Sequence, residues 1–456
     1  MKNSKYEIDM CNGSIMPKLI SFSIPLMLSG ILQLMFNAVD IVVVGRFSGS
    51  RSLAAVGSTT ALINIFTNLF IGVSLGANVL SARFYASGKA KEMSETVHTS
   101  IMFALISGVV MAFVGLGFSR FALELMGTPA DVIDQSALYM RIYFIGMPFF
   151  MLYNYGAAIL RSVGDTKRPL LFLIISGITN AVLNLILVIR FRLDVAGVAI
   201  ATIIAQMISC ILVLRCLYKS ESSYQFRFSR LTLKWKYLKQ IFQVGIPAGL
   251  QSTVINFSNA MLQSSVNSFG SVAMAGYTAA NNIFGFLYAA ANSVTQACMS
   301  FTSQNYGVGK LKRMDKVLIN CMILTVGVSF SLGFGAWFFG SGLLRIYTSE
   351  ADVIACGLEI LAFTTVPYFL CGIMDLFPGA LRGMGYSAVP MILSVIGTVG
   401  MRIIWIYVIF PTHRSLDFLF ISYPASWTVT IVLQAVCFFF VRKKVRRTVL
   451  AGQYTA

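Results

Sequence analysis

Apolar residues run along this chain in stretches of about 20 or more, each long enough for a helix to cross the hydrocarbon core of a bilayer. Twelve stretches stand out, at about 19–44, 53–82, 99–118, 137–160, 169–189, 195–218, 241–266, 273–302, 317–343, 356–381, 389–410 and 418–441. In lipid every backbone amide must find its partner within the segment, and no strand-like alternation competes, so these stretches predict helices. The residues before about position 19 are polar and lack the short apolar core and cleavage site of a signal peptide.

The pattern repeats. A shift of 221 residues lays Gly88-Lys89 and Met93 on Gly309-Lys310 and Met314, and Ala130-Asp131-Val132-Ile133 on Ala351-Asp352-Val353-Ile354. The same shift lays Leu160-Arg161, Gly164 and Pro169 on Leu381-Arg382, Gly385 and Pro390. Ile24-Pro25 and Asn37-Ala38 meet Ile246-Pro247 and Asn259-Ala260 one residue out of phase. The chain is two copies of one six-span unit, and an even number of spans returns each copy to its starting side, so the copies run parallel. The fold class is therefore an all-α integral membrane protein with twelve transmembrane helices in two parallel six-helix repeats. Its expected parts are a cytoplasmic N-terminal segment (1–18), a first lobe (19–218), a basic cytoplasmic linker (219–240), a second lobe (241–441) and a basic cytoplasmic tail (442–456).

Composition agrees, with 57% hydrophobic and 11% charged residues, against about 25% charged in a soluble domain. The net charge of +18 would fit nucleic acid if it were spread evenly, but it is not. The termini and alternate loops hold 26 lysines and arginines, the opposite loops 7. By the positive-inside rule this puts both termini and the linker in the cytoplasm, and no nucleic-acid partner is expected. The eight cysteines form no CxxC, no Walker A sequence is present, and His98 and His413 lack partners at ligand spacing. No loop is long enough for a catalytic domain, so an enzyme is not expected. Neither a selectivity ring nor a ligand-binding domain marks a channel or receptor.

Polar side chains inside the spans carry the candidate chemistry, because each is costly in hydrocarbon. Asp40 follows Gln33 and Asn37 at spacings that share one helical face. Asn180 and Asn184 stand one turn apart in the fifth span, and Thr202, Gln206 and Ser209 line the sixth. A carboxylate ringed by amide and hydroxyl oxygens suits a proton or a small hard cation; the same residues would also make a hydrogen-bonded packing seam. The second half offers Ser252, Asn256, Asn259 and Gln263, then Asn282, Asn292 and Gln296, as lining of a cavity or of a helix contact. The position equivalent to Asp40 is Leu262. Asp375 and Arg402 are expected to pair as a structural or gating ion pair, with Glu359 a competing acid. Gly72 and Gly76, like the glycines at 333, 335, 340 and 342, read as sites of close helix packing.

Asn37-Ala38-Val39-Asp40 with Val44-Gly45, Leu53-Ala54-Ala55-Val56-Gly57 and the run Ile159-Leu160-Arg161-Ser162-Val163-Gly164-Asp165-Thr166-Lys167-Arg168-Pro169 together resemble a multidrug and toxic compound extrusion (MATE) transporter. Asn180 with Asn184, and Leu381-Arg382-Gly383-Met384-Gly385, extend the resemblance over essentially the whole chain. It implies a V-shaped pair of lobes in the cell membrane, exporting organic cations or amphipathic drugs in exchange for protons or sodium by alternating access. It also implies a cation-coupling site at Asp40, with Asn37, Asn180, Asn184 and Thr202 around it. Gln33, Gln206, Asn256, Asn259, Gln263 and Asn282 are candidates for the substrate cavity. Some relatives carry a second acid where this chain has Asn184, so protons are favoured over a sodium ion at Asp40. No other cofactor or metal is expected, the partners are the bilayer and small-molecule drugs, and a monomer is expected. The alternative is a lipid-linked precursor flippase of the same superfamily.

Overall fold

The computed structural model describes residues 6–450; the outermost parts of the predicted N-terminal segment and basic tail, 1–5 and 451–456, lie outside the described residues. Among the described residues the first half contains α1 (Met16–Phe47), α2 (Gly49–Ala86), α3 (Ala90–Leu125), α4 (Ile133–Ile145), α5 (Met147–Ser162), α6 (Lys167–Asn184) and α7 (Asp194–Tyr218). The second half contains α8 (Trp235–Asn267), α9 (Ser271–Gly307), α10 (Leu311–Phe338), α11 (Gly340–Leu344), α12 (Ala351–Thr365), α13 (Tyr368–Gly383), α14 (Ala388–Ser394), α15 (Met401–Ile404), α16 (Leu416–Phe420) and α17 (Ser422–Leu450).

These helices make twelve spans. Eight are single helical stretches long and apolar enough to cross a membrane, and two more are the bent pairs α4–α5 (46°) and α12–α13 (42°). Each bend falls beside a proline, Pro148 or Pro367, where a missing N–H and a fixed φ interrupt the helix. The last two, α8 and α9, are 33 and 37 residues long. The polar side chains at 252, 256, 259 and 263, and at 282, 292 and 296, dilute their apolar character.

The backbone repeats what the sequence repeats. Gly49 and Gly270, Gly88 and Gly309, and Gly164 and Gly385 all take left-handed φ between 69° and 95°, and each pair is 221 apart. Such a φ is open to glycine at little cost because it has no Cβ to clash. After α2 the Lys89 N–H bonds the Phe84 carbonyl at 3.1 Å, and after α9 Lys310 bonds Asn305 at 2.9 Å. After α5 Asp165 bonds Leu160 at 3.0 Å, and after α13 Tyr386 bonds Leu381 at 2.9 Å. These six-residue closures satisfy carbonyls that a helix end otherwise strands.

The chain forms two compact units, one of residues 6–9 and 31–245, the other of 10–30 and 246–450. The first half of α1 thus packs in the second unit, and the start of α8 packs in the first. Gly76 of α2 accounts for the second of these: a Cβ there would meet the Ile241 carbonyl oxygen of α8 at 2.1 Å, and one on Gly245 would meet the Val73 backbone at 2.4 Å. The expected packing role of the ninth-span glycines divides. A Cβ on Gly333 would meet the Thr365 carbonyl oxygen at 2.0 Å, whereas Gly335 and Gly342 face open space.

The basic stretch after α7 is not a free linker. Tyr224 and Phe226 are each 1% exposed, and Phe226 stacks on His98 at 5.7 Å. His98 Nε2 accepts from the Arg227 N–H at 3.1 Å, and Lys234 reaches Glu95 at 2.5 Å. His98 thus pins this segment to the first unit. Burial pushes the Tyr224 phenol up from its ordinary pKa.

Candidate functional site in the first unit and its counterpart in the second

Asp40 is placed by a close approach of α1 to α6. Phe36, one turn before Asp40, lies against Gly177 of α6, where a Cβ would come within 1.8 Å of its ring. Asn180 and Asn184 follow Gly177 at one and two turns, so the same face of α6 reaches Asp40. Asn184 Nδ2 donates to Asp40 Oδ1 and, at 3.3 Å, to Asn180 Oδ1. Asn180 Nδ2 donates to Thr202 Oγ1 of α7 at 3.3 Å, and the Thr202 hydroxyl donates to the Val198 carbonyl at 2.9 Å. A hydrogen-bonded line therefore runs from α1 through α6 to α7.

Asp40 is half-buried and Asn184 is fully buried, with its Oδ1 unpartnered. A buried polar atom without a partner is costly. A wide π turn, Leu185–Arg190, begins directly after Asn184, and such turns inside helices are frequent at functional sites. Tyr139 and Tyr143 of α4 lie within electrostatic range of Asp40, and Tyr143 is hydrogen-bonded to Gln206.

Of the residues singled out in the sequence, Asp40, Asn180, Asn184 and Thr202 come together. Gln33 and Asn37 are exposed and no hydrogen bond ties them to Asp40; Asn256 and Asn282 are exposed, and Gln263 is half-buried. Asn282 donates to the Thr278 carbonyl of its own helix at 3.0 Å and borders a groove of about 500 Å³ with Met274 and Tyr347.

The expected Asp375–Arg402 pair does not form. The Arg402 guanidinium, in a residue 3% exposed, donates through Nη1 to Asn259 Oδ1 at 2.6 Å and to Ser258 Oγ at 3.5 Å. It also stacks over the Tyr423 ring at 4.4 Å. The charge that Asp375 feels is Arg382. Arg382 Nη2 donates to Gln251 Oε1 at 2.6 Å, Gln251 donates to Ser394 at 3.1 Å, and Gln434 donates to Ser394 at 2.9 Å and to the Pro390 carbonyl at 2.7 Å. The physical reason lies in the backbone between α14 and α15, where Val395–Gly400 forms a π turn. An extra residue in a turn rotates everything after it by roughly 100°, and regular helical spacing does not foresee that. Glu359 does not compete for Arg402 either; its side-chain partner is Asp417.

The tyrosines at 139 and 143 and the network of Gln251, Arg382, Ser394 and Gln434 escaped the sequence reading. Arg382 had a signal, since it is the repeat of Arg161 in a motif used only to mark the repeat and the family resemblance. Tyr423 had one too, standing 221 residues after Thr202.

A family model described as MatE matches residues 25–186 and 247–408, one match in each half. The chain belongs to this family, the MATE multidrug efflux transporters. It is 29% identical over 432 residues to the probable multidrug resistance protein YoeA of Bacillus subtilis, covering 93% of both chains. It is 22% identical over 379 residues to the multidrug export protein MepA of Staphylococcus aureus, covering 83% of this chain and 84% of that one. A solved outward-facing MATE family transporter superposes with a TM-score of 0.91 at 20% identity, over 98% of this chain and 100% of that chain. At that identity the likeness concerns the fold. The MATE match leaves the lipid-linked precursor flippase without support.

Proposed function

We propose that this MATE protein is a secondary antiporter of the cell membrane that exports amphipathic drugs, organic cations among them, in exchange for protons. The observation that carries the coupling half is the line Asp40–Asn184–Asn180–Thr202. Asn184 presents its amide nitrogen, a donor, to Asp40, which suits an ionised carboxylate; sodium would need oxygens there. Protonation removes the charge and turns one carboxylate oxygen into a donor. The Asn184 amide then has reason to turn, because its unpartnered Oδ1 can accept the new O–H. That turn withdraws the Asn184 donor from Asn180 and loosens the link to Thr202, so α1, α6 and α7 repack and the bound drug is released. The named multidrug relatives support the export half. The 36 phenylalanines, 18 tyrosines and 22 methionines supply soft, aromatic surface for varied cations.

Reconstituted vesicles with an imposed pH gradient and no sodium test this reading. Wild-type protein is expected to move drug, while Asp40→Asn inserts into the membrane but no longer couples. Undiminished transport by the variant would remove Asp40 from the mechanism, and transport that needs sodium would sink the proton assignment. The split of basic residues supports cytoplasmic termini. Single cysteines introduced at Lys236 and Arg446 in a cysteine-free background should then resist an impermeant thiol reagent applied to intact cells.

A further inference from the structure

Between α7 and α8 a short segment holds large apolar side chains in the open. Phe228 is 65% exposed, Leu233 44% and Trp235 67%, and Tyr218 at the end of α7 is 52% exposed. Arg227, Arg230 and Lys236 are exposed among them. Among the described residues no salt bridge engages these three cations. Arg227 Nε donates to Gln225 Oε1 at 3.1 Å, and Lys236 Nζ lies over the Tyr237 ring at 5.6 Å. Exposed aromatic side chains gathered with charges mark an interaction surface.

The surface is fixed in place. Its two ends are pinned to α3, Arg227 by its N–H on His98 Nε2, and Lys234 by its N–H on Thr99 Oγ1 at 3.3 Å and its Nζ on Glu95. Between the pins Phe228–Arg230 forms a single 3-10 turn. The buried Phe226 meets the Phe228 ring at 4.8 Å, and Tyr218 meets it at 6.3 Å. Rings and cations held this way lose little freedom when they bind.

The chain arrives from the end of α7 and leaves into α8, both spans, so this surface lies where the spans leave the hydrocarbon. Tryptophan and tyrosine favour that level. Apolar rings there enter the headgroup layer while lysine and arginine attract its negative charge. We propose that Phe228, Leu233 and Trp235, with Arg227, Arg230 and Lys236, are a docking site for anionic phospholipid in the adjoining leaflet. The negative headgroup meets the cations that no carboxylate neutralises, and the apolar side chains lie among the upper acyl carbons. The site goes beyond the export reading and does not depend on which ion drives transport.

Quenching by brominated lipid tests it. The full-length protein is placed in phosphatidylcholine nanodiscs that contain an equal fraction of dibromo-phosphatidylglycerol or dibromo-phosphatidylcholine, brominated on the same acyl carbons. Subtracting the signal of Trp235→Phe isolates Trp235 from the other tryptophans. Both lipids are expected to quench Trp235, with local association at least about fivefold stronger for phosphatidylglycerol, the scale of one cation near an anionic surface. High salt should weaken that preference. The triple variant Arg227→Gln, Arg230→Gln, Lys236→Gln should lose it while Trp235 stays quenched. Lys312→Gln, Lys316→Gln and Lys443→Gln together remove the same charge from exposed positions of the second unit and should leave it intact. Equal quenching by both lipids in the wild type overturns the proposal without any variant. So does a preference that survives the first triple variant, or one that both triple variants lose alike, which reports net charge alone. A Trp235 that neither lipid quenches also overturns it and leaves the surface to a soluble partner.

Discussion

The two halves put opposite charges on the same three helices. In the first unit the first, fifth and sixth spans supply Asp40, Asn180 with Asn184, and Thr202. In the second unit the corresponding spans supply Asn259, Arg402 and Tyr423. Tyr423 stands at the repeat of Thr202, Asn259 at the repeat of Asn37, and Arg402 one residue past the repeat of Asn180, while Leu262 replaces Asp40. One frame therefore holds an acid surrounded by amides on one side of the repeat and a guanidinium surrounded by amide, hydroxyl and ring on the other. A carboxylate is able to gain and lose a proton, which is the role proposed for Asp40. A guanidinium keeps its charge throughout, so Arg402 cannot serve as a proton switch.

That division of labour is breakable, and the largest expected effect tests it directly. Asp40→Asn should lower proton-driven transport of a permanent cation by about a hundredfold or more. Arg402→Gln should leave the dependence of transport on the pH gradient in place. Loss of that dependence in both variants would show that proton coupling is not confined to the first unit.

Next in size is Gly177→Ala. The added methyl would overlap the Phe36 ring, and relieving the clash parts α1 from α6, at a cost of ~1–3 kcal/mol from overpacking. Because Asp40 and Asn184 lie just beyond that contact, coupling should fall along with thermal stability. Gly397 is a second glycine in close contact, in the second unit, with Thr430 Oγ1 at 2.5 Å from its added Cβ. Gly397→Ala should cost stability without touching the proton dependence.

Within the second unit, a double-mutant cycle on Asp375 and Arg382 should show coupling of about 1–3 kcal/mol, with the double neutralisation milder than the sum. The same cycle on Asp375 and Arg402 should be additive. Coupling in the second cycle and none in the first would restore the pairing that helical spacing suggested. A smaller effect is expected of Asn259→Ala, which removes the closest hydrogen-bond partner of Arg402 and should cost ~1–2 kcal/mol of stability. Asn37→Ala, at the repeat-related position, should cost less, since no hydrogen bond holds Asn37 to the site.

Much of this was legible without coordinates because lipid imposes a narrow grammar. Spans of fixed length, polar breaks and a copied motif pointed to twelve helices in two repeats, and the glycines matched at 221 turn out to recur with nearly the same φ. Asp40 stood out for the same reason, since a carboxylate in an apolar stretch needs an explanation. Asn180, Asn184 and Thr202 followed from one-turn spacing and resemblance. The partners across helices were another matter. That Asn184 meets Asp40 while Asn37 does not depends on where Phe36 settles on Gly177, a distance no local pattern encodes. That Arg402 turns to Asn259 and away from Asp375 depends on a π turn at Val395–Gly400, and one extra residue redirects every side chain beyond it. Sequence alone determined which groups lie in the membrane and that two copies of one frame hold them. Only tertiary packing decided which group faces which, because hydrogen bonds and ion pairs are settled within an ångström and helical periodicity is known only to a face.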